Sequence, residues 1–247
     1  MSLVISHRGA NLEAPENTLP AFAKALEYNV DGFENDVHLT ADGVLVVLHD
    51  DTIDRTSNGT GNVCEMNFDD LRKLDFGSWF GSEFKGTQIP ALAEFFELCG
   101  SLKIINVEIK EEINGSKAAG AAVVKLAKEM GVFDRLLISS FDMAMLQAAL
   151  AEDPTTKVAF LFAMNSELAE EVYDDPAAFA KKYNLTAFHP FADMCSADFI
   201  EECHEAGVQV NPWTVNHERG ITALRDWGAD CVITDEPALA MRINHGE

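Results

Sequence analysis

The chain has 247 residues, 47% of them hydrophobic, enough for one large core, and no Pro/Ser/Gly-rich linker divides it, so a single domain over residues 1–247 is expected. Its 41 acidic against 18 basic side chains leave a formal charge of -23, which disfavours nucleic acid and anionic membrane surfaces as partners. Five cysteines without CxxC spacing argue against a disulfide framework or a zinc ribbon, and no apolar run could span a bilayer.

The first six residues lack the basic and apolar regions of a signal peptide, so the chain as written reads as soluble and cytoplasmic, with reduced thiols. Leu3 to Ser6 is a short apolar run, a buried strand that delivers His7 and Arg8 to its end. Thr18 is placed to cap a helix of roughly Leu19 to Tyr28, with Pro20 in its first turn and Phe22, Ala25 and Leu26 facing inward. From Gly32 the pattern alternates Phe33, Asn35, Val37 and Leu39 against Glu34, Asp36 and His38, as in a strand with a polar face. Thr40-Ala41-Asp42-Gly43 then turns the chain back along Val44 to Leu48. With Ala41 and Asp42 as the central turn residues, Asp36 faces Val47 and Glu34 faces His49.

Residues 51–90 are turn-rich, with a short helix near Phe68 to Leu74, and read as an insertion too small to be a domain. A helix near Ala91 to Cys99 leads into the strand Lys103 to Lys110, and helices such as Ser116 to Met130 then alternate with strands to the C-terminus. These later strands are Leu136 to Ser139, Val158 to Phe162, Ala187 to His189, Val208 to Thr214 and Cys231 to Thr234. With Val44 to Leu48 set aside as a hairpin arm, strands centre near residues 4, 35, 106, 138, 160, 188, 211 and 232. That alternation predicts an α/β fold, a TIM (β/α)8 barrel with a hairpin extension on its second strand and a small insertion after it.

Sites on such barrels lie at the C-terminal strand ends, where His7, Arg8, Glu108, Lys110 and Trp213 fall, joined by Glu34 and Asp36 if their strand rises above the rim. Glu34, Asp36 and Glu108 make a hard-oxygen set suited to one divalent cation, Mg²⁺ or Ca²⁺; their alternative role is ion pairing with Lys or Arg on neighbouring strands. His7 and His49 suit proton transfer, since imidazole titrates near neutrality. Arg8 and Lys110 can hold phosphate oxygens or pair with the carboxylates, and Trp213 either lines the pocket or caps the barrel. His38, near the turn, is expected to be exposed, and His204, His217 and His245 to be surface or structural; His189 is left open because it ends a strand.

Together these residues resemble the glycerophosphodiester phosphodiesterase family. The matching pieces are His7-Arg8-Gly9, Pro15-Glu16-Asn17-Thr18, Glu34-x-Asp36-Val37, Thr40-x-Asp42-Gly43, His49-Asp50, Arg55-Thr56, Glu108-x-Lys110, Trp213-Thr214-Val215-Asn216 and Thr234-Asp235-x-Pro237, in family order through nearly the whole chain. The resemblance implies hydrolysis of glycerophosphodiesters to sn-glycerol 3-phosphate and an alcohol. It makes His7 and His49 the general acid and base, Glu34, Asp36 and Glu108 the ligands of a divalent ion, and Arg8 and Lys110 the phosphate binders. Asn211-Pro212 departs from the aliphatic strand of the family and puts the Trp213 edge in question. Two other readings compete: a lysophospholipid- or sphingolipid-cleaving phosphodiesterase, with Trp79, Phe80 and Phe84 as an apolar platform, and a non-catalytic phosphate-ester binder. Neither an oligomeric state nor a choice between the two metals is written in these residues.

Overall fold

The structure, a computed structural model, describes residues 2–246. It is an α/β TIM barrel. In chain order the strands and α-helices are β1 (Leu3–His7), α1 (Leu19–Leu26), β2 (Gly32–Leu39), β3 (Leu45–Val47), α2 (Phe68–Leu71), α3 (Leu92–Leu98), β4 (Ile104–Ile109), α4 (Ala118–Glu129), β5 (Leu136–Ser140), α5 (Met143–Glu152), β6 (Val158–Phe162), α6 (Ala169–Asp174), α7 (Pro176–Tyr183), β7 (Ala187–Pro190), α8 (Ala197–Glu205), β8 (Gln209–Val210), α9 (Glu218–Trp227), β9 (Cys231–Thr234) and α10 (Pro237–His245). Parallel pairing runs in the order β8-β7-β6-β5-β4-β2-β1-β9, with β3 antiparallel on β2. The last seam is bridged by backbone bonds, Asp230 N to Val210 O and Ile233 N to Pro212 O, both 3.0 Å. No helix among the described residues is long and apolar enough to cross a membrane.

Strand alternation sorts the side chains into two layers. Outward-facing Phe33 packs with Phe22 of α1 and Phe95 of α3, ring centroids 5.2 and 6.0 Å away, and each such buried ring stabilises the fold by about 1.5–3 kcal/mol. Inside the barrel Ile5, Cys231 and Ile233 form one apolar group and Leu137, Ala159 and Ala187 another. Leu26, expected on the inner face of α1, is 37% exposed; the buried face is Ala21, Phe22 and Ala25. Thr18 precedes the helix without capping it, because its hydroxyl donates to Pro15 O at 2.6 Å.

The hairpin register differs by one residue from the expectation. Val37 pairs with Val47, His38 with Val46 and Leu39 with Leu45, and Leu48 N donates to Asp36 O, so Glu34 does not face His49. The loop holds three residues rather than two, because Gly43 takes the left-handed conformation (φ 83°) and lets Thr40 N reach Val44 O. One slipped residue exchanges the faces of the return arm. Val46 and Leu48 therefore join Ile53, Val63, Leu71, Phe76 and Ile89 in a small core that residues 51–90 build over the hairpin. His38, expected to be exposed, is fully buried there, with Nδ1 3.7 Å from Glu112 Oε1 and Nε2 3.3 Å from His49 O. The expected strand Val208–Thr214 shrinks to Gln209–Val210, since Pro212 has no N–H to give and pairing resumes only as an isolated bridge between Phe191 and Trp213.

Candidate active site

The chain turns sharply after His7. Arg8 and Gly9 both take positive φ, 57° and 81°, and a Cβ on Gly9 would stand 2.6 Å from the backbone carbon of Ala21. Arg8 N donates to Glu34 O at 2.9 Å, so the turn is fastened to β2. Register places His7 beside Glu34 and Asp36 beside Glu108. One oxygen from each of Glu34, Asp36 and Glu108 lies within 4.8 Å of the others, and all three residues are buried.

Two cations answer these carboxylates. Arg8 Nε is 3.1 Å from Asp36 Oδ2, and Lys110 Nζ is 2.6 Å from Glu108 and 3.4 Å from Asp36. Asn17 Nδ2 adds a bond of 2.8 Å to Asp36. Burial would raise the Asp36 carboxyl, but Lys110, Arg8 and His49 hold it well below its usual range. Burial, then Asp36 and Glu108, push the Glu34 carboxyl well above its usual range, while burial and Asp36 raise Glu108. Lys110 is half-buried yet raised, because Asp36 and Glu108 outweigh its desolvation. Among the described residues Glu34 Oε1 has no hydrogen-bond partner, and Asp36 Oδ1 has only the Lys110 ammonium 3.4 Å away. Those oxygens are the ones a hard divalent cation would satisfy.

Each of two histidines rests on a carboxylate. His7 Nδ1 is 2.6 Å from Asp235 Oδ1, and His49 Nδ1 is 2.7 Å from Asp50 Oδ1. In both, Nε2 is the nitrogen that the carboxylate leaves free of it; that of His7 stands 3.9 Å from Glu34. The histidines open on different spaces. His49, with Glu108, Lys110 and Phe141, lines an open cavity of about 410 Å³. His7, with Glu34, Glu108 and Trp213, lines a narrow recess with room for about one water. Glu108 borders both. Trp213 meets Phe141 and Phe191 edge to face, centroids 5.5 and 5.8 Å away.

The model of the glycerophosphoryl diester phosphodiesterase family matches residues 7–239. The chain belongs to that family. A glycerophosphodiester phosphodiesterase of Caldanaerobacter subterraneus subsp. tengcongensis is 38% identical over 243 residues, 98% of this chain and 97% of its own. The structure of an Oleispira antarctica phosphodiesterase in complex with the product sn-glycerol-3-phosphate superposes with a TM-score of 0.87 at 28% identity, covering 100% of this chain and 98% of that one. A glycerophosphodiester phosphodiesterase from Agrobacterium tumefaciens gives 0.82 at 28% identity over 98% and 99%. The protein is thus an enzyme, a phosphoric diester hydrolase.

Around this phosphodiesterase site stand residues to which sequence reasoning gave no role. Glu16 receives Arg8 at 3.0 Å and both terminal nitrogens of Arg55 at 2.8 Å; Arg55 also reaches Asp50 at 2.7 Å. Asp235 accepts from Asn11 and Asn216 as well as from His7. All but Asn11 lie within the motifs that carry the family resemblance, which was the signal available for them.

Proposed function

We propose that the enzyme hydrolyses glycerophosphodiesters to sn-glycerol 3-phosphate and an alcohol, with one divalent cation, Mg²⁺ or Ca²⁺, held by Glu34, Asp36 and Glu108. The observation that carries this reading is the pair of carboxylate-backed imidazoles on either side of a buried acidic cluster. A bound cation supplies neutralisation of the phosphoryl oxygens and of the charge that develops on them. Arg8 and Lys110, already facing the carboxylates, take the remaining phosphate oxygens. Asp235 and Asp50 fix the tautomers of His7 and His49, so that one Nε2 accepts the proton of the attacking hydroxyl and the other protonates the departing alkoxide. Trp213 walls the substrate on the recess side. The barrel and its insertion act as one domain, and five unpaired cysteines agree with a reducing, cytoplasmic setting.

Chelation tests the metal. Excess EDTA abolishes turnover of glycerophosphocholine and added Mg²⁺ or Ca²⁺ restores it; full activity in excess chelator would rule out the ligand assignment. For a lysophospholipid substrate an apolar platform would be needed, yet Trp79, Phe80 and Phe84 pack on one another and none lines the open cavity. Turnover of glycerophosphocholine is therefore expected to exceed that of lysophosphatidylcholine.

A further inference from the structure

The return arm of the hairpin leaves the sheet just before His49. Its last bond to β2 is Leu48 N to Asp36 O, at 3.0 Å. From there to Asp51 O, which accepts from Val63 N, the main chain makes one hydrogen bond among the described residues. That bond is at His49, whose carbonyl oxygen lies 3.3 Å from His38 Nε2. A carbonyl can only accept, so the ring of His38 carries a proton on Nε2.

His38 is itself held firmly. It is fully buried on β2, opposite Val46. Its other ring nitrogen stands 3.7 Å from Glu112 Oε1, and that same oxygen accepts from Leu39 N at 2.8 Å. Glu112 is also buried, so the ring is bracketed by its strand, a carboxylate and the His49 carbonyl. The second restraint on His49 is looser, because Asp50 rides on the same unpaired segment and is held by Arg55, whose side chain is 46% exposed. A carboxylate next in sequence fixes how the imidazole turns, but not where its Cα stands against the barrel. On the reading of His49 as a proton carrier in diester hydrolysis, an ångström of misplacement can cost about 10²-fold in rate. We propose that His38 is a positioning residue for His49: its Nε2–H fixes the His49 carbonyl, and so the place of the His49 ring beside Asp36 and Glu108.

Two substitutions separate the donor from the bulk of the ring. A glutamine side chain reaches as far as Nε2 and can give an amide N–H to the same carbonyl; an asparagine side chain reaches only as far as Nδ1. His38→Asn should lower kcat on glycerophosphocholine by about 10–10²-fold with KM within about twofold, while His38→Gln stays within about threefold of wild type. A double-mutant cycle reads whether the loss passes through His49: in the His49→Ala background, His38→Asn should cost less than about twofold more. A full further loss in that background overturns the proposal, as does His38→Asn at wild-type kcat or His38→Gln as defective as His38→Asn. The two claims fail differently. His49→Ala at wild-type turnover sinks the reading of His49 and the proposal with it, whereas an inactive His49→Ala beside a fully active His38→Asn sinks the proposal alone. Nitrogen NMR of the wild-type protein tests the contact without a substrate, and without a variant that must fold. A proton on His38 Nε2 supports it, and a ring protonated on Nδ1 alone overturns it.

Discussion

His7 meets its carboxylate across the paired ends of β1 and β9, 228 positions along the chain at Asp235, whereas His49 meets Asp50, its neighbour in sequence. The first pair is the more buried, with side chains 13% and 19% exposed against 32% and 28% for the second. Two asparagines hold Asp235, while Asp50 is held by Arg55, itself half exposed and shared with Glu16. One imidazole is set by the closure of the barrel and the other by a short local segment anchored to the insertion. The same chemical device is thus rigid at one end of the site and adjustable at the other.

The largest expected effects test whether both ends carry chemistry. His7→Ala and His49→Ala should each lower kcat by on the order of 10²–10⁴ with the fold intact, as read by circular dichroism. A variant with near-wild-type turnover removes its histidine from the reaction. A diester with a p-nitrophenolate leaving group sharpens the comparison, because so stable an anion departs without a proton. Only the variant lacking the general acid should recover on it, and that result names which end faces the leaving group.

Next in size come the carboxylates behind the rings. Asp235→Asn should cost about 10²–10³-fold in kcat, because an amide misorients a buried imidazole, and Asp50→Asn only about tenfold, because solvent reaches His49. Equal losses would mean that the two ends are equally organised, against the contrast in their burial.

The contrast also marks what the sequence made legible. Every barrel strand was readable, because apolar runs ending in polar residues alternate with helical stretches from Leu3 to Thr234. Glu34, Asp36, Glu108, His7 and His49 could be named together from motif and strand-end position, but their contacts could not. The hairpin register turned on whether Gly43 counts as turn or strand, a single φ angle that composition does not fix. His38 is buried because the slipped hairpin sets Val46 opposite it, while Glu112, from beyond β4, stands beside its ring, and neither neighbour follows from its place near a turn. Asp235 is distant from His7 in sequence, and only barrel closure brings it there.

The smallest effect separates the pairs by acid stability. Burial would raise the Asp235 carboxyl, but the bond and charge of His7, with Asn11 and Asn216, hold it at about 2 against an ordinary 3.8. A carboxyl depressed in the folded state gives its full stabilisation above the unfolded value, and loses it as pH falls from 3.8 through about 2. The whole term is about 2 kcal/mol, of which about half is gone by pH 3. The stability gap between wild type and Asp235→Asn, from urea unfolding, should therefore narrow by about 1 kcal/mol between pH 5 and pH 3. Asp50 also lies at about 2, chiefly through its hydrogen bond to Arg55, but it is more exposed and its partner is half in solvent, so screening shrinks its term. Asp50→Asn should show little narrowing over the same range. A gap that narrows equally for both variants would place the two carboxylates in like surroundings and remove the rigid end from the comparison.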